Sequence, residues 1–271
     1  MIRALVRRIV PGRWRAELRR IARDLPVRLR DLPADWSPRE RSVDGIRIPP
    51  PRLRARVGAS SSRTEFLEIG RRCADDLLTA YRAAGRPAEG DGRWLDFGSG
   101  CGRVARHLFG RSPISDYRGV DVDRAQIAWA GRHLPGRFST IAPAPPMPFA
   151  AESFDVVFTI SVFTHLGEAE QFAWLEELRR LLRPGGLLIA TTHAPRIAVE
   201  ARGAAAVGAG ELDVLERTGF LFRPSVGPFN EQAAFHSREY LTREWGSRYG
   251  FVAFHPAALG GFQDISLWEK S

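Results

Sequence analysis

Little in this chain can cross-link, chelate or cross a membrane. Among 271 residues only Cys73 and Cys101 are cysteines, which excludes a disulfide framework and a cysteine-based metal cluster and fits a reducing, cytoplasmic setting. No apolar run approaches the roughly 20 residues that span a bilayer. The N-terminus shows no uninterrupted apolar core of signal-peptide type. Lysine is nearly absent: Lys270 is the only one, so the basic residues are arginines, which reads as compositional bias. What remains is ordinary for a water-soluble globule, with 44% hydrophobic and 26% charged residues. The length suits one α/β domain with extensions.

The net charge of +9 is unevenly spread, because residues 1–32 alone carry ten arginines against Glu17, Asp24 and Asp31. The rest is close to neutral. Within 1–32, Ile2, Leu5, Val6, Ile9 and Val10 fall at helical spacing beside Arg3, Arg7 and Arg8. After the break at Pro11-Gly12 a second stripe follows in Trp14, Leu18, Ile21 and Leu25. Three readings of this basic amphipathic arm stay open. It packs on the globular domain; or residues 1–25 lie on anionic lipid at the inner face of the membrane; or it touches nucleic acid, which the near-neutral remainder disfavours.

Residues 33–63 are proline-rich and read as a linker or strap. Residues 64–271 form the globular domain. Thr64 is expected to cap a helix over 65–84. Strands are expected at 93–97, 117–121, 137–141, 154–160 and 186–192. Helices are expected at 101–109, 124–133 (capped by Asp123) and 168–182. Such alternation implies a mostly parallel sheet with helices on both faces. Residues 194–233 read as a long loop with one short helix over 211–218. A loop of that length in a compact domain is usually functional, so it is expected to form a lid over an acceptor site. A helix over 238–248, capped by Ser237, precedes two strands at 250–255 and 261–269, joined through Pro256–Gly260.

The most informative stretch is Trp94-Leu95-Asp96-Phe97-Gly98-Ser99-Gly100-Cys101-Gly102-Arg103. A short apolar strand runs into alternate glycines and then an apolar helix start. Glycines let the backbone approach a ligand closely, and a helix N-terminus favours anionic groups. A second strand ends in Gly119-Val120-Asp121-Val122-Asp123, where a carboxylate can take the hydroxyls of a ribose. The glycine spacing departs from the dinucleotide pattern Gly-x-Gly-x-x-Gly, which disfavours a nicotinamide-dependent oxidoreductase.

These two stretches resemble the first and second motifs of class I S-adenosylmethionine-dependent methyltransferases. The resemblance continues through Ser153–Phe158, Ser161–Leu166 and Leu182–Ile189, and the late segment is similar to that of bacterial enzymes of glycan and small-molecule pathways. It implies a Rossmann-like, seven-stranded, mostly parallel sheet ending in an antiparallel pair, with S-adenosylmethionine as cofactor and no metal. It also assigns Asp96, Gly98, Ser99, Gly100 and Gly102 to the methionine end of the cofactor, and Asp121 with Val122 to the ribose. Many relatives carry an acid after the third strand that meets the adenine amine. This chain has Ile141-Ala142-Pro143-Ala144 there, leaving adenine to backbone groups near Ala142. Ser161–Leu166 is not the Asn/Asp-Pro-Pro-Tyr motif of amine-directed nucleic-acid and glutamine methyltransferases, and Ser161 is taken as a cofactor contact. A hydroxyl acceptor needs a base, for which His165, His193 and His236 are the candidates. The implied activity is O-methylation of a sugar or small metabolite; a protein that binds the cofactor without turnover is the alternative.

Overall fold

A computed structural model describes residues 45–58, 62–86, 92–111, 114–201, 206–224 and 232–271. The basic stripes of 1–32 and the proline-rich stretch up to residue 44 lie outside them. The chain divides into two compact units, Met1–Leu67 and Glu68–Ser271. In the first, Pro51–Arg54 forms one helical turn, α1, with a proline at its start, where the missing N–H costs nothing. The helix α2 (Arg63–Ala83) carries the boundary. It begins one residue before the expected cap Thr64: Ser62 Oγ accepts the Glu65 N–H instead, at 3.4 Å.

The second unit holds a seven-stranded sheet in the order β3-β2-β1-β4-β5-β9-β8. Its strands are β1 (Gly92–Phe97), β2 (Ile114–Asp121), β3 (Arg137–Thr140), β4 (Phe154–Thr159), β5 (Leu182–Thr192), β8 (Gly250–Leu259) and β9 (Gln263–Glu269). The first five are parallel; β9 runs antiparallel between β5 and β8. Strands covered on both faces need apolar residues throughout, and Trp94, Leu95, Val157, Phe158, Leu188 and Ile189 are all fully buried. Helix α3 (Arg124–His133) starts at Asp123, which accepts from the Ala125 and Gln126 N–H groups. Helix α4 (Glu168–Leu181) buries Trp174, Leu175, Leu178 and Leu181. Phe172 is only partly buried and lies under the Arg248 guanidinium, 4.4 Å from its ring centre.

The strand order reverses between β1 and β4. Loops leaving the carboxyl ends on either side of such a reversal diverge and open a crevice.

Several elements differ from expectation. The helix over 101–109 is replaced by turns and one 3-10 turn, Ala105–His107. Positive φ at Gly98, Gly100 and Gly102 keeps the backbone from settling into α geometry until past the loop. The helix over 238–248 is shorter, α7 (Arg238–Glu244), with Ser237 capping as expected. Strand β8 runs through Pro256 to Leu259, and the tight turn falls at Gly260–Phe262. Residues 194–233 are more than a loop. Their described part forms α5 (Pro195–Glu200), α6 (Ala209–Thr218) and β6 (Phe220–Arg223), and β6 pairs antiparallel with β7 (Ala233–His236). Ile197, Ala198, Leu215, Leu221 and Phe235 give this insertion a small core of its own. It joins the main sheet through a bridge between His193 and Phe235 and through the His236 N–H, which donates to the His193 carbonyl at 2.8 Å. Among the described residues no helix is long and apolar enough to cross a membrane.

Candidate functional site

The crevice is built on the ends of β1 and β2. Leaving β1, the N–H groups of Gly98 and Ser99 both donate to the Val120 carbonyl, at 2.8 and 3.0 Å. This folds the loop back over the adjacent strand. Gly98 sits at φ +89°, and a Cβ there would come within 2.3 Å of Val162 Cγ2. Only glycine permits that close approach between the loops after β1 and β4. At the end of β2, Asp121 accepts the Gly100 N–H at 2.9 Å and the Asp123 N–H at 2.8 Å. Its carboxylate therefore pins the glycine loop while its half-buried edge remains available. Partial burial raises its pKa, and these backbone donors oppose the rise.

Asp96 lies one layer below. It is buried and accepts the Tyr117 hydroxyl proton. Loss of hydration pushes its carboxyl up to about 7; the Tyr117 hydrogen bond opposes this and the charge of Asp121 adds to it. Ser99 Oγ is buried without a hydrogen-bond partner among the described protein atoms. An orphaned hydroxyl in a polar loop marks a place where a ligand completes the hydrogen bonding. Val122 and Ala142, the expected ribose and adenine contacts, are both exposed at the rim.

The rim after β3 is held from behind. Glu177 on α4 accepts the Met147 N–H at 2.7 Å and pairs with Arg180, also at 2.7 Å. Arg180 in turn donates to the Phe149 carbonyl at 3.0 Å. Neighbouring Arg180 holds the Glu177 carboxyl below its usual pKa despite desolvation.

The opposite wall follows β4 and β5. Ser161 adopts φ +60°, a conformation that costs a non-glycine residue about 1–3 kcal/mol and needs surrounding support. The support is visible: Ser161 N–H donates to Thr191 Oγ1 at 2.8 Å, and its carbonyl accepts from Thr164 Oγ1 at 2.9 Å. Its hydroxyl meets the side-chain amide of Gln263 on β9.

The three candidate histidines occupy different settings. His165 is half-buried, and its Nδ1 lies 3.0 Å from the Gln232 carbonyl. A carbonyl only accepts, so Nδ1 carries the proton and Nε2 of the neutral ring carries the lone pair. His193 is packed between the rings of Phe235 and Phe262. Desolvation lowers its pKa to about 4, with nearby His165 and Arg196 adding to the fall. His236 is 1% exposed and boxed by Phe220, Tyr240 and Trp245. Its Nε2 faces Gln171 Oε1 at 2.9 Å, and burial lowers its pKa to about 3. The structure thus brings His165 and His193 to the crevice side and places His236 in the core.

Residues 95–190 match a family described as methyltransferase domain. A malonyl-[acyl-carrier protein] O-methyltransferase of Methylococcus capsulatus is 28% identical over 137 residues, 49% of this chain and 48% of that protein. A phthiotriol/phenolphthiotriol dimycocerosates methyltransferase of Mycobacterium ulcerans is 33% identical over 132 residues, 48% of each. The chain thus spans about half the length of these curated relatives. A crystal structure of an S-adenosylmethionine-dependent methyltransferase from Methanosarcina mazei superposes with a TM-score of 0.53 at 16% identity, covering 72% of this chain and 96% of that one; at that identity the likeness speaks for the fold. Residues 95–190 thus match a methyltransferase domain, on the fold of that S-adenosylmethionine-dependent enzyme.

The methyltransferase domain's loop fits that cofactor. The orphaned Ser99 hydroxyl, the glycine backbone and the half-open Asp121 carboxylate are the polar groups its methionine and ribose parts need. Among the described residues no group of three or more histidines, cysteines or acids is placed to hold a metal. The sequence reading missed three participants: Thr191, Glu177 and Gln263. Gln263 stood in Gly261-Phe262-Gln263-Asp264, which looks like a turn. Only the insertion of β9 beside β5 carries it to the methyltransferase crevice.

Proposed function

We propose that the chain transfers a methyl group from S-adenosylmethionine to an oxygen of a small metabolite or sugar held against His165 and His193, with Ser161 between the acceptor and the cofactor it is expected to touch. When bound, S-adenosylmethionine supplies an electrophilic methyl group on a positively charged sulfur. The protein's task is then to fix the reacting atoms in line and to exclude water. The observation that carries this reading is the strained Ser161, locked by Thr191 and Gln263 on one side of the crevice while Gly98 closes against its neighbour Val162 on the other. Strain held in place by so many partners is what a positioned site requires.

Asp96, Ser99, Gly100 and Gly102 would hold the methionine part of the cofactor, Asp121 the ribose hydroxyls, and backbone near Ala142 the adenine. His165, with its lone pair on Nε2, is the base for a hydroxyl acceptor. The insertion of residues 194–233 would frame the acceptor, since it begins directly after His193 and leans on Phe235. The O-methyltransferase activity named for one relative belongs to that protein; an oxygen acceptor is the same class of chemistry.

Calorimetry with S-adenosylhomocysteine in metal-free buffer tests the first half: saturable binding is expected, and binding of NADH in its place would sink the reading. A screen with isotope-labelled methyl donor against carboxylates, phenols and sugars tests the second. Label appearing only on amines would exclude the oxygen acceptor.

A further inference from the structure

Gln263 is buried, and its side chain reaches both walls of the acceptor side. Its Nε2 lies 2.8 Å from Ser161 Oγ and 3.2 Å from His193 Nε2, while its Oε1 is 3.1 Å from Ser161 Oγ. The amide nitrogen has two hydrogens, and this orientation gives each an acceptor: the serine oxygen and the imidazole Nε2. In this orientation the Gln263 carbonyl oxygen also has its partner, the Ser161 hydroxyl, so each polar atom of the side chain is bonded. A ring nitrogen that accepts a hydrogen bond carries no proton. In the neutral imidazole the proton then sits on Nδ1. That Nδ1 is buried and has no hydrogen-bond partner among the described protein atoms.

We infer that Gln263 is a positioning residue whose amide holds His193 in the Nδ1–H tautomer, so that His193 offers the methyl acceptor a hydrogen bond and favours an acceptor bearing a carboxylate. A lone N–H donor is best met by an oxygen that has lone pairs and no proton. The Arg196 guanidinium is near enough to act on His193; it donates to the Phe262 carbonyl at 2.8 Å and stands 3.8 Å from Asp264. The other titratable groups acting here are His165 and His236. The three histidines therefore divide the work. His165 can accept a proton, His193 can give a hydrogen bond, and His236 packs. The carboxylate preference rests on the methyl-transfer reading; the tautomer does not.

Long-range proton–nitrogen NMR on the full chain, with nitrogen-15 in its histidines, reads the tautomer directly. At neutral pH His193 is expected to show a protonated Nδ1 and a bare Nε2. A protonated Nε2 overturns the inference. In Gln263→Glu the carboxylate can only accept from the ring, so the proton should move to Nε2 and the His193 titration midpoint should rise by about 1–3 units, the usual effect of an adjacent opposite charge. In Gln263→Met the tautomer preference should weaken. A purely space-filling role for Gln263 would leave the tautomer unchanged in Gln263→Met, which overturns it too. The ligand class is read on protein saturated with S-adenosylhomocysteine. Propionate should shift the His193 Nδ1–H resonance saturably and 1-propanol should not. No response to propionate, or an equal response to both, removes the carboxylate preference. Failure of S-adenosylhomocysteine to bind at all would instead strike the methyl-transfer reading and leave the tautomer result standing.

Discussion

Asp121→Ala is the substitution that best separates cofactor binding from folding. In the native protein the two Asp121 oxygens accept the N–H groups of Gly100 and Asp123, at 2.9 and 2.8 Å. One bond shapes the glycine loop and the other shapes the turn into α3. Hydrogen bonds to a charged group are worth about 1.5–3 kcal/mol each. The carboxylate is only partly buried, so water replaces part of that when it is removed. Its burial also costs something, as the raised pKa records, and the deletion relieves that cost. Folding stability should therefore change little, with the melting temperature falling by no more than about 4 °C, equivalent to roughly 1 kcal/mol in a protein of this size. Cofactor affinity has no such compensation: the ribose loses its partner and the loop its pin. The expected loss is about 1–3 kcal/mol, or about 5- to 150-fold in Kd. Asp121→Asn should fall between, since its amide satisfies one backbone N–H and turns its own NH2 toward the other. Calorimetry with S-adenosylhomocysteine beside thermal melting measures both quantities. Unchanged affinity in a normally folded Asp121→Ala protein would falsify the assignment of Asp121 to the ribose.

Other consequences follow from the same geometry. The native Asp96 carboxyl has a pKa of about 7, against about 3.9 unfolded. The unfolded chain then binds fewer protons between pH 4 and 7, so this group's contribution to stability falls as pH rises through that window. Melting curves across pH should show that slope in the wild type, and it should flatten in Asp96→Asn. Glu177→Ala unties the segment after β3 from α4 and should weaken cofactor binding by a few-fold while leaving the acceptor KM unchanged; a selective change in the acceptor KM would contradict its placement. Leu221→Ala removes a core side chain of the insertion, a change that costs about 2–5 kcal/mol in buried positions. It should lower turnover and spare cofactor affinity, and equal loss of both would show that the insertion is part of the main core. With a hydroxyl acceptor, His165→Ala should slow the reaction by about 10²–10⁴-fold, the usual worth of a general base. Near-normal turnover would mean that the acceptor oxygen arrives already ionised.

The sequence by itself determined the repetitive part of this protein. Short apolar runs such as Val156–Phe158 and Leu187–Ile189, bounded by charge, proline or glycine, read as strands covered on both faces, and Asp123 and Ser237 are read as caps because their side chains reach the next N–H groups locally. Glycines at alternate positions after β1, followed by an acid after β2, made the cofactor loop legible for the same reason: its geometry is set by neighbours in the chain. The glycines themselves defeated one expectation, since their positive φ values turn the predicted helix start into a 3-10 turn. Tertiary structure decided the acceptor side. Residues 194–233 carry too few periodic apolar positions to announce a fold, and their small core forms only when Phe235 returns to pair with β6 and His193. His236 looked like His165 in the sequence, and burial alone separates them. Gln263 is remote in sequence from both Ser161 and His193. It meets them because β9 slots in beside β5, and no local pattern can encode a contact made by sheet order.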